Sequence, residues 1–273
     1  MTEWVASGGA RLACDLEPDD GRPAVLYVHA DVADRRVWPA LAASVAATHR
    51  VLAFDRRGFG ETTYDVEAYS EVEDALAVVD GGGAGRVVVV GNSGGGRVAL
   101  DLALAHPDRV AGLVLIAPAV RGAPPIDPES VGPELRRLDD AIDQAEAAGD
   151  LRQVNLLEAH VWLDGAGETE GRVGGAARAL FLDMNGRALA AADPGPQDQT
   201  ASAWERLGDV GCPTVVAIGE FDLPHVWERA RIVAERVPAA TLVELPGVAH
   251  VPMLETRGEL AAALRDFLAG LDY

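Results

Sequence analysis

The chain has 273 residues, 49% of them hydrophobic, and a formal net charge of −20. That length suits one large globular domain, or one with an insertion, and the apolar content excludes a disordered protein. The acidic balance argues against nucleic acid and anionic membranes as partners, and all 23 basic residues are arginine, so Schiff-base and Ser–Lys chemistries have no lysine to use.

Residues 2–16 are expected to form a hairpin. Ala24–His29 and Val51–Asp55 read as strands, with an amphipathic helix around Trp38–Ala47 between them. A helix over Glu67–Val79 precedes Arg86–Val90, whose β-branched run reads as a buried strand, and a helix over Gly95–Ala105 follows at once. Leu113–Ala117, Thr214–Gly219 and Thr241–Leu245 are further strands, and Glu259–Ala269 is a closing helix. Strands alternating with helices indicate an α/β fold on a mostly parallel sheet. Between Arg121 and Leu207 the pattern lapses. Pro133–Ala148, Leu151–Leu163 and Val173–Ala192 carry helical periodicity with no strand among them. This places a helical insertion at 121–207 within a core made of 1–120 and 208–273. The turn-rich ends, Arg121–Pro125 and Asp193–Pro196, read as linkers or hinges.

Cys14 and Cys212 read as buried free thiols, which fits a reducing compartment. Met1-Thr2-Glu3-Trp4 has neither a basic nor an apolar leader character, and no apolar run approaches the ~18 residues that span a bilayer. A cytoplasmic location without membrane contact is therefore expected.

The chemistry is concentrated at Gly91-Asn92-Ser93-Gly94-Gly95, set between a strand and a helix. This is the strand–turn–helix context of a G-x-S-x-G nucleophile elbow. So tight a turn strains the Ser93 backbone and lifts its hydroxyl clear of the sheet, while a Cβ at Gly91 or Gly95 would collide across it. For this segment alone, a glycine-rich turn or a phosphate-binding loop is the alternative. Serine at pH 7 is a weak nucleophile and needs a base, which in turn needs an orienting group. Loops leaving the carboxyl ends of parallel strands supply both: Glu220 and Asp222 after Thr214–Gly219, and His250 after Thr241–Leu245. Asp222 is preferred to Glu220 as the acid, and His250 is preferred to the other histidines as the base. His49, His106 and His225 are expected to face solvent. His160 lies on an insertion helix, where packing is favoured over substrate contact. No two histidines have metal-ligand spacing, so the sequence calls for neither a metal nor a cofactor.

These residues, in this order, resemble the α/β-hydrolase superfamily, in its serine-hydrolase branch with a helical cap. The resemblance extends to Phe54-Asp55-Arg56-Arg57-Gly58-Phe59-Gly60, similar to the family's D-x-R-G-x-G segment, and to Ala105-His106-Pro107-Asp108-Arg109-Val110, Leu113–Pro118, Cys212-Pro213-Thr214 and Gly219-Glu220-Phe221-Asp222. It covers the core at both ends of the chain and leaves the insertion unmatched. It implies an oxyanion hole made by the N–H of Gly94 and an N–H of the loop after the first core strand. That loop reads His29-Ala30-Asp31, with Ala30 in place of the usual glycine and Asp31 at the second donor. A carboxylate directed into the site would oppose a developing oxyanion. Asp31 is therefore expected to turn outward or to be paired, with Arg35 or Arg36 as its partner. His29 is expected to brace the loop.

The implied activity is hydrolysis of a small, largely apolar ester or lactone through an acyl-enzyme on Ser93. Trp162, Phe181 and Met184 of the cap are candidates for the pocket wall. The same triad also serves cleavage of a C–C bond in a β-diketone-like substrate, and cofactor-free perhydrolase or haloperoxidase chemistry. Mechanisms with an aspartate at the elbow, as in haloalkane dehalogenases and epoxide hydrolases of this fold, are set aside by Ser93. From a different class, a ligand-binding protein with an impaired site is favoured by Asp31 alone.

Overall fold

Four consecutive valines fix the middle of the sheet. In strand β6 (Val87–Asn92), Val87 and Val89 join one hydrophobic core while Val88 and Val90 join the other, so the strand is buried on both faces. Around it lie β1 (Glu3–Ser7), β2 (Ala10–Leu16), β3 (Ala24–Val28), β4 (Arg50–Phe54), the short β5 (Thr63–Tyr64), β7 (Val110–Ile116), β8 (Thr214–Gly219) and β9 (Ala240–Leu245). The computed structural model describes residues 2–126, 131–198, 202–255 and 258–271. Sheet order is β1-β2-β4-β3-β6-β7-β8-β9, with β5 paired to β2. β1 and β2 form the expected antiparallel hairpin, and every pairing from β4 to β9 is parallel.

Helices cover both faces. α2 (Glu71–Gly81), α3 (Gly94–Ala105) and α7 (Pro224–Arg236) pack on one side, and α1 (Pro39–Ala43) and α8 (Gly258–Ala269) on the other. The α2 start lies later than the sequence pattern suggests because Ser70 caps it, its hydroxyl accepting the Glu73 N–H at 3.3 Å. The helix expected over Trp38–Ala47 contracts to α1. α7 escaped the sequence reading. Its surface is strongly polar, and only the stripe of Val226, Ala230 and Val233 is buried, at helical spacing.

Between β7 and β8, α4 (Pro133–Ala147), α5 (Leu151–Ala159) and α6 (Gly175–Leu189) form the helical insertion, with no strand among its described residues. The helix expected over Leu151–Leu163 changes register. After Ala159 it runs on as a π-helical turn, His160–Gly165. Both cysteines are buried and unpaired. Among the described residues no helix is long and apolar enough to cross a membrane.

Candidate active site

Ser93 sits between β6 and α3 with φ 53° and ψ −116°, a conformation that L-residues rarely adopt. The surrounding backbone leaves no alternative. A Cβ on Gly91 would strike the Gly95 carbonyl, and one on Gly95 would strike the Val28 carbonyl of the neighbouring strand. The Ser93 N–H donates to Ile116 O at 2.9 Å, which ties the turn to β7.

His250 and Asp222 arrive on the loops after β9 and β8. His250 Nδ1–H donates to Asp222 Oδ2 at 2.8 Å, and both side chains are almost fully buried. Asp222 Oδ1 accepts the Leu223 N–H at 2.8 Å, so both carboxylate oxygens are engaged and the acid cannot swing away. Glu220, the other acidic candidate, does different work: its Oε2 accepts the Gly247 N–H at 2.7 Å and supports the His250 loop. Ser93 and His250 line one cavity of about 360 Å³ that opens beneath the insertion helices. Among the described residues Ser93 Oγ makes no hydrogen bond. A larger hollow of about 440 Å³, between Trp38 and the outer strands, holds no serine, cysteine or histidine.

The loop after β3 brings Asp31 to the same cavity. Among the described residues neither the Asp31 nor the Gly94 N–H meets an acceptor, which leaves two backbone donors beside Ser93. The Asp31 carboxylate occupies the space that a Cβ on Gly94 would fill. Its pairing differs from expectation. Arg36 is taken by Asp34 and Asp183, and Arg35 by Asp15, Asp55 and Glu61. Asp31 Oδ1 instead accepts from Arg56 at 2.6 Å. Arg56 is buried, stacks over Phe59 at 4.6 Å and reaches Glu71 Oε1 at 2.8 Å, and Glu71 in turn binds Arg97 at 2.7 Å. Enclosure in the cleft works against ionisation of Asp31, but the charge and hydrogen bond of Arg56, joined by the Arg97 charge, together outweigh it and hold the carboxyl below the usual carboxylate range. The Asp31 side chain is still 58% exposed toward the cavity.

His29 braces this loop. Its Nδ1–H donates to Ala30 O at 2.8 Å and its Nε2 accepts the Arg56 N–H at 3.0 Å. Burial, reinforced by the Arg56 charge, pushes its pKa down to about 3, so the ring stays neutral. His49, expected at the surface, is buried and contacts Thr48 Oγ1 through Nδ1 at 2.9 Å.

The insertion supplies the far wall of the cavity. Trp162 lies on the π-helical turn and its ring meets the His250 imidazole at 4.7 Å. Phe181 and Met184, expected in the pocket wall, are fully buried in hydrophobic core and do not line this cavity. Three polar residues near the site went unnoticed in the sequence. Asn92 Nδ2 donates to Ile116 O at 3.0 Å and to His250 O at 3.1 Å, which fixes the His250 loop to the turn at Ser93. Glu158 and Asn185 line the cavity from α5 and α6. The available signal was spacing, since Glu158 and Trp162 lie one turn apart and so share a face. Among the described residues no cluster of histidine, cysteine and acidic side chains is arranged to hold a metal ion.

Comparison with known proteins adds four findings. A family model described as alpha/beta hydrolase family matches residues 25–263. A Variovorax paradoxus protein named carbamate hydrolase RutD is 30% identical over 265 residues, covering 92% of this chain and 93% of that protein. A pimeloyl-[acyl-carrier protein] methyl ester esterase of Neisseria meningitidis is 29% identical over 256 residues, covering 90% of this chain and 77% of the esterase. Among solved structures, the esterase RhEst1 from Rhodococcus sp. superposes with a TM-score of 0.79 at 22% identity, over 99% of both chains.

Proposed function

The chain belongs to the α/β-hydrolase family, and from that premise we propose that it is a serine hydrolase of small carboxylic esters or lactones. The observation that carries the reading is one cavity shared by a strained elbow serine and a histidine whose Nδ1–H is held by a buried aspartate at 2.8 Å. The same reading treats 1–120 and 208–273 as the core that carries the chemistry and 121–207 as a cap over it.

In this mechanism Ser93 Oγ attacks the substrate carbonyl carbon while its proton passes to His250 Nε2. Asp222 keeps the imidazole in the tautomer with the proton on Nδ1 and stabilises the imidazolium that forms. The N–H groups of Gly94 and Asp31 receive the tetrahedral oxyanion. Collapse expels the alcohol, which leaves with the proton from His250 Nε2, and an ester bond to Ser93 remains. Water then attacks that ester as His250 takes its proton, and the acid and free serine are released. The esterase function of the Neisseria relative and the carbamate hydrolysis for which the Variovorax relative is named are both acyl-transfer chemistry, which supports this class over C–C cleavage.

The wild-type protein should turn over p-nitrophenyl butyrate and be labelled on Ser93 by a fluorophosphonate. Ser93→Ala should lower kcat by at least about 10³-fold and abolish labelling. Absence of both turnover and labelling in the wild type would refute the assignment.

A further inference from the structure

The cap wall opposite Ser93 carries an arrangement that an apolar ester would not need. Glu158 and Asn185 both line the catalytic cavity, and Asn185 is 2% exposed. The amide orientation is set from outside the cavity. Asn155 Nδ2 donates to Leu182 O at 2.8 Å, so Asn155 Oδ1 is left to accept, and Asn185 Nδ2 donates to it at 3.1 Å. The same Nδ2 donates to Glu158 Oε2 at 2.6 Å. Asn185 Oδ1 and Glu158 Oε1 have no donor among the described residues. The pair therefore presents two acceptors and no donor to the cavity.

The charge balance points the same way. Asp31 and Glu158 both line the cavity, and no arginine is among its described lining residues. Asp31 has Arg56 as its counter-ion, whereas Glu158 has none among the described residues. Burial raises the proton affinity of Glu158, the Asn185 hydrogen bond opposes that, and the nearby Glu146 charge adds to it. The wall is short of one positive charge. Trp162, one turn beyond Glu158, lines the same cavity with an aromatic ring, and such rings attract cations.

We propose that the Glu158–Asn185 pair binds an ammonium group on the substrate, so that the preferred substrates are small esters carrying a cationic amine. This rests on the assignment of Ser93, Asp222 and His250 as an esterase triad. An ammonium N–H donates to a free acceptor of the pair, and its charge pairs with Glu158. A carboxylate at the same place would meet two acceptors and a like charge, so anionic esters and carboxylated lactones are disfavoured.

Three acetate esters of matched shape test the proposal: 2-(dimethylamino)ethyl acetate, protonated at pH 7; acetylcholine, cationic without an N–H; and neutral 3,3-dimethylbutyl acetate. Binding is measured by calorimetry to the full-length Ser93→Ala protein, where turnover does not intervene. The protonated amine should bind at least about tenfold more tightly than the neutral ester, with acetylcholine between them. In Ser93→Ala/Glu158→Gln that ratio should fall to near one. Ser93→Ala/Asn185→Leu should also lower it, which supplies a second reading should the Glu158 variant not fold. Equal binding of the cationic and neutral esters to Ser93→Ala, or a ratio unchanged in both double variants, overturns the proposal. Turnover of 3,3-dimethylbutyl acetate by the wild type reports separately on the esterase assignment. Turnover without a charge preference defeats the recognition site alone, and no turnover with no fluorophosphonate labelling defeats the triad.

Discussion

On the proposed mechanism Asp31 combines two opposed features, a backbone N–H that receives the oxyanion and a carboxylate packed against the Cα of Gly94, the other proposed donor. Donors aimed at the oxyanion are worth several kcal/mol in such sites, and an unneutralised charge beside them would erode that. Arg56 resolves the conflict by binding Oδ1 at 2.6 Å from a buried position shared with Glu71. The neutralisation is incomplete, because the side chain remains 58% exposed to the cavity where the negative charge develops. Asp31→Asn keeps the size and the N–H and removes the charge. Its kcat on a neutral p-nitrophenyl ester should rise by a few-fold to about tenfold, measured at saturating substrate. A fall in kcat would instead show that the carboxylate takes part in the reaction. The sequence exposed the problem at this position but named the wrong partner. Arg35 and Arg36 are near in sequence, yet Asp55 claims the first and Asp34 the second. The true partner lies 25 residues away, on the loop after the adjacent parallel strand.

The loop that carries His250 is held by the cap as well as by the core. Arg172, in the segment between the π-helical turn and α6, donates to Gly247 O at 3.2 Å and to Glu255 Oε2 at 2.6 Å. The Glu255 side chain is buried, and its Oε1 accepts the Ala249 N–H at 2.7 Å, beside His250. Glu255→Gln replaces a charge-assisted acceptor with an amide whose N–H₂ faces either a guanidinium or a backbone N–H. The loss should lower the unfolding free energy by about 2 kcal/mol, read from urea denaturation, and, on the proposed mechanism, kcat should fall several-fold as His250 loses its fixed position. An unchanged urea midpoint would show that the clamp carries no stability. Elements of this kind divide by how locally they are encoded. The parallel strands and the elbow were legible because β-branched runs and glycine spacing act within a few residues, as in Val87–Gly95. The insertion was legible as helices, but its inward faces were not. Phe181 and Met184 resemble pocket residues by type and are consumed by packing, while the polar Glu158 and Asn185 reach the cavity. Which side of a helix meets a cavity depends on the docking of α5 against α6, and that is a long-range property.

Over the whole molecule, 43 acidic residues face 23 arginines, and much of the positive charge is already committed inside. Arg35, Arg56 and Arg57 each bind two or more carboxylates from buried positions. The excess of acid therefore sets the outer field, and the Ser93 cavity adds Asp31 and Glu158 to it with no arginine among its described lining residues. Such a field attracts cationic substrates and repels anionic ones over distances comparable to the Debye length, about 30 Å at 0.01 M salt and about 10 Å at 0.1 M. The rate of encounter, and so kcat/KM where encounter limits it, must respond to salt according to substrate charge. For 2-(dimethylamino)ethyl acetate, kcat/KM should fall several-fold between 0.01 and 0.3 M NaCl. For 3,3-dimethylbutyl acetate it should change little, and for an anionic ester such as monoethyl succinate it should rise. A common salt response for all three would mean that salt acts on the protein's stability or on the chemical step. Opposite slopes for the cation and the anion would place the effect in the field, where a net charge of −20 puts it.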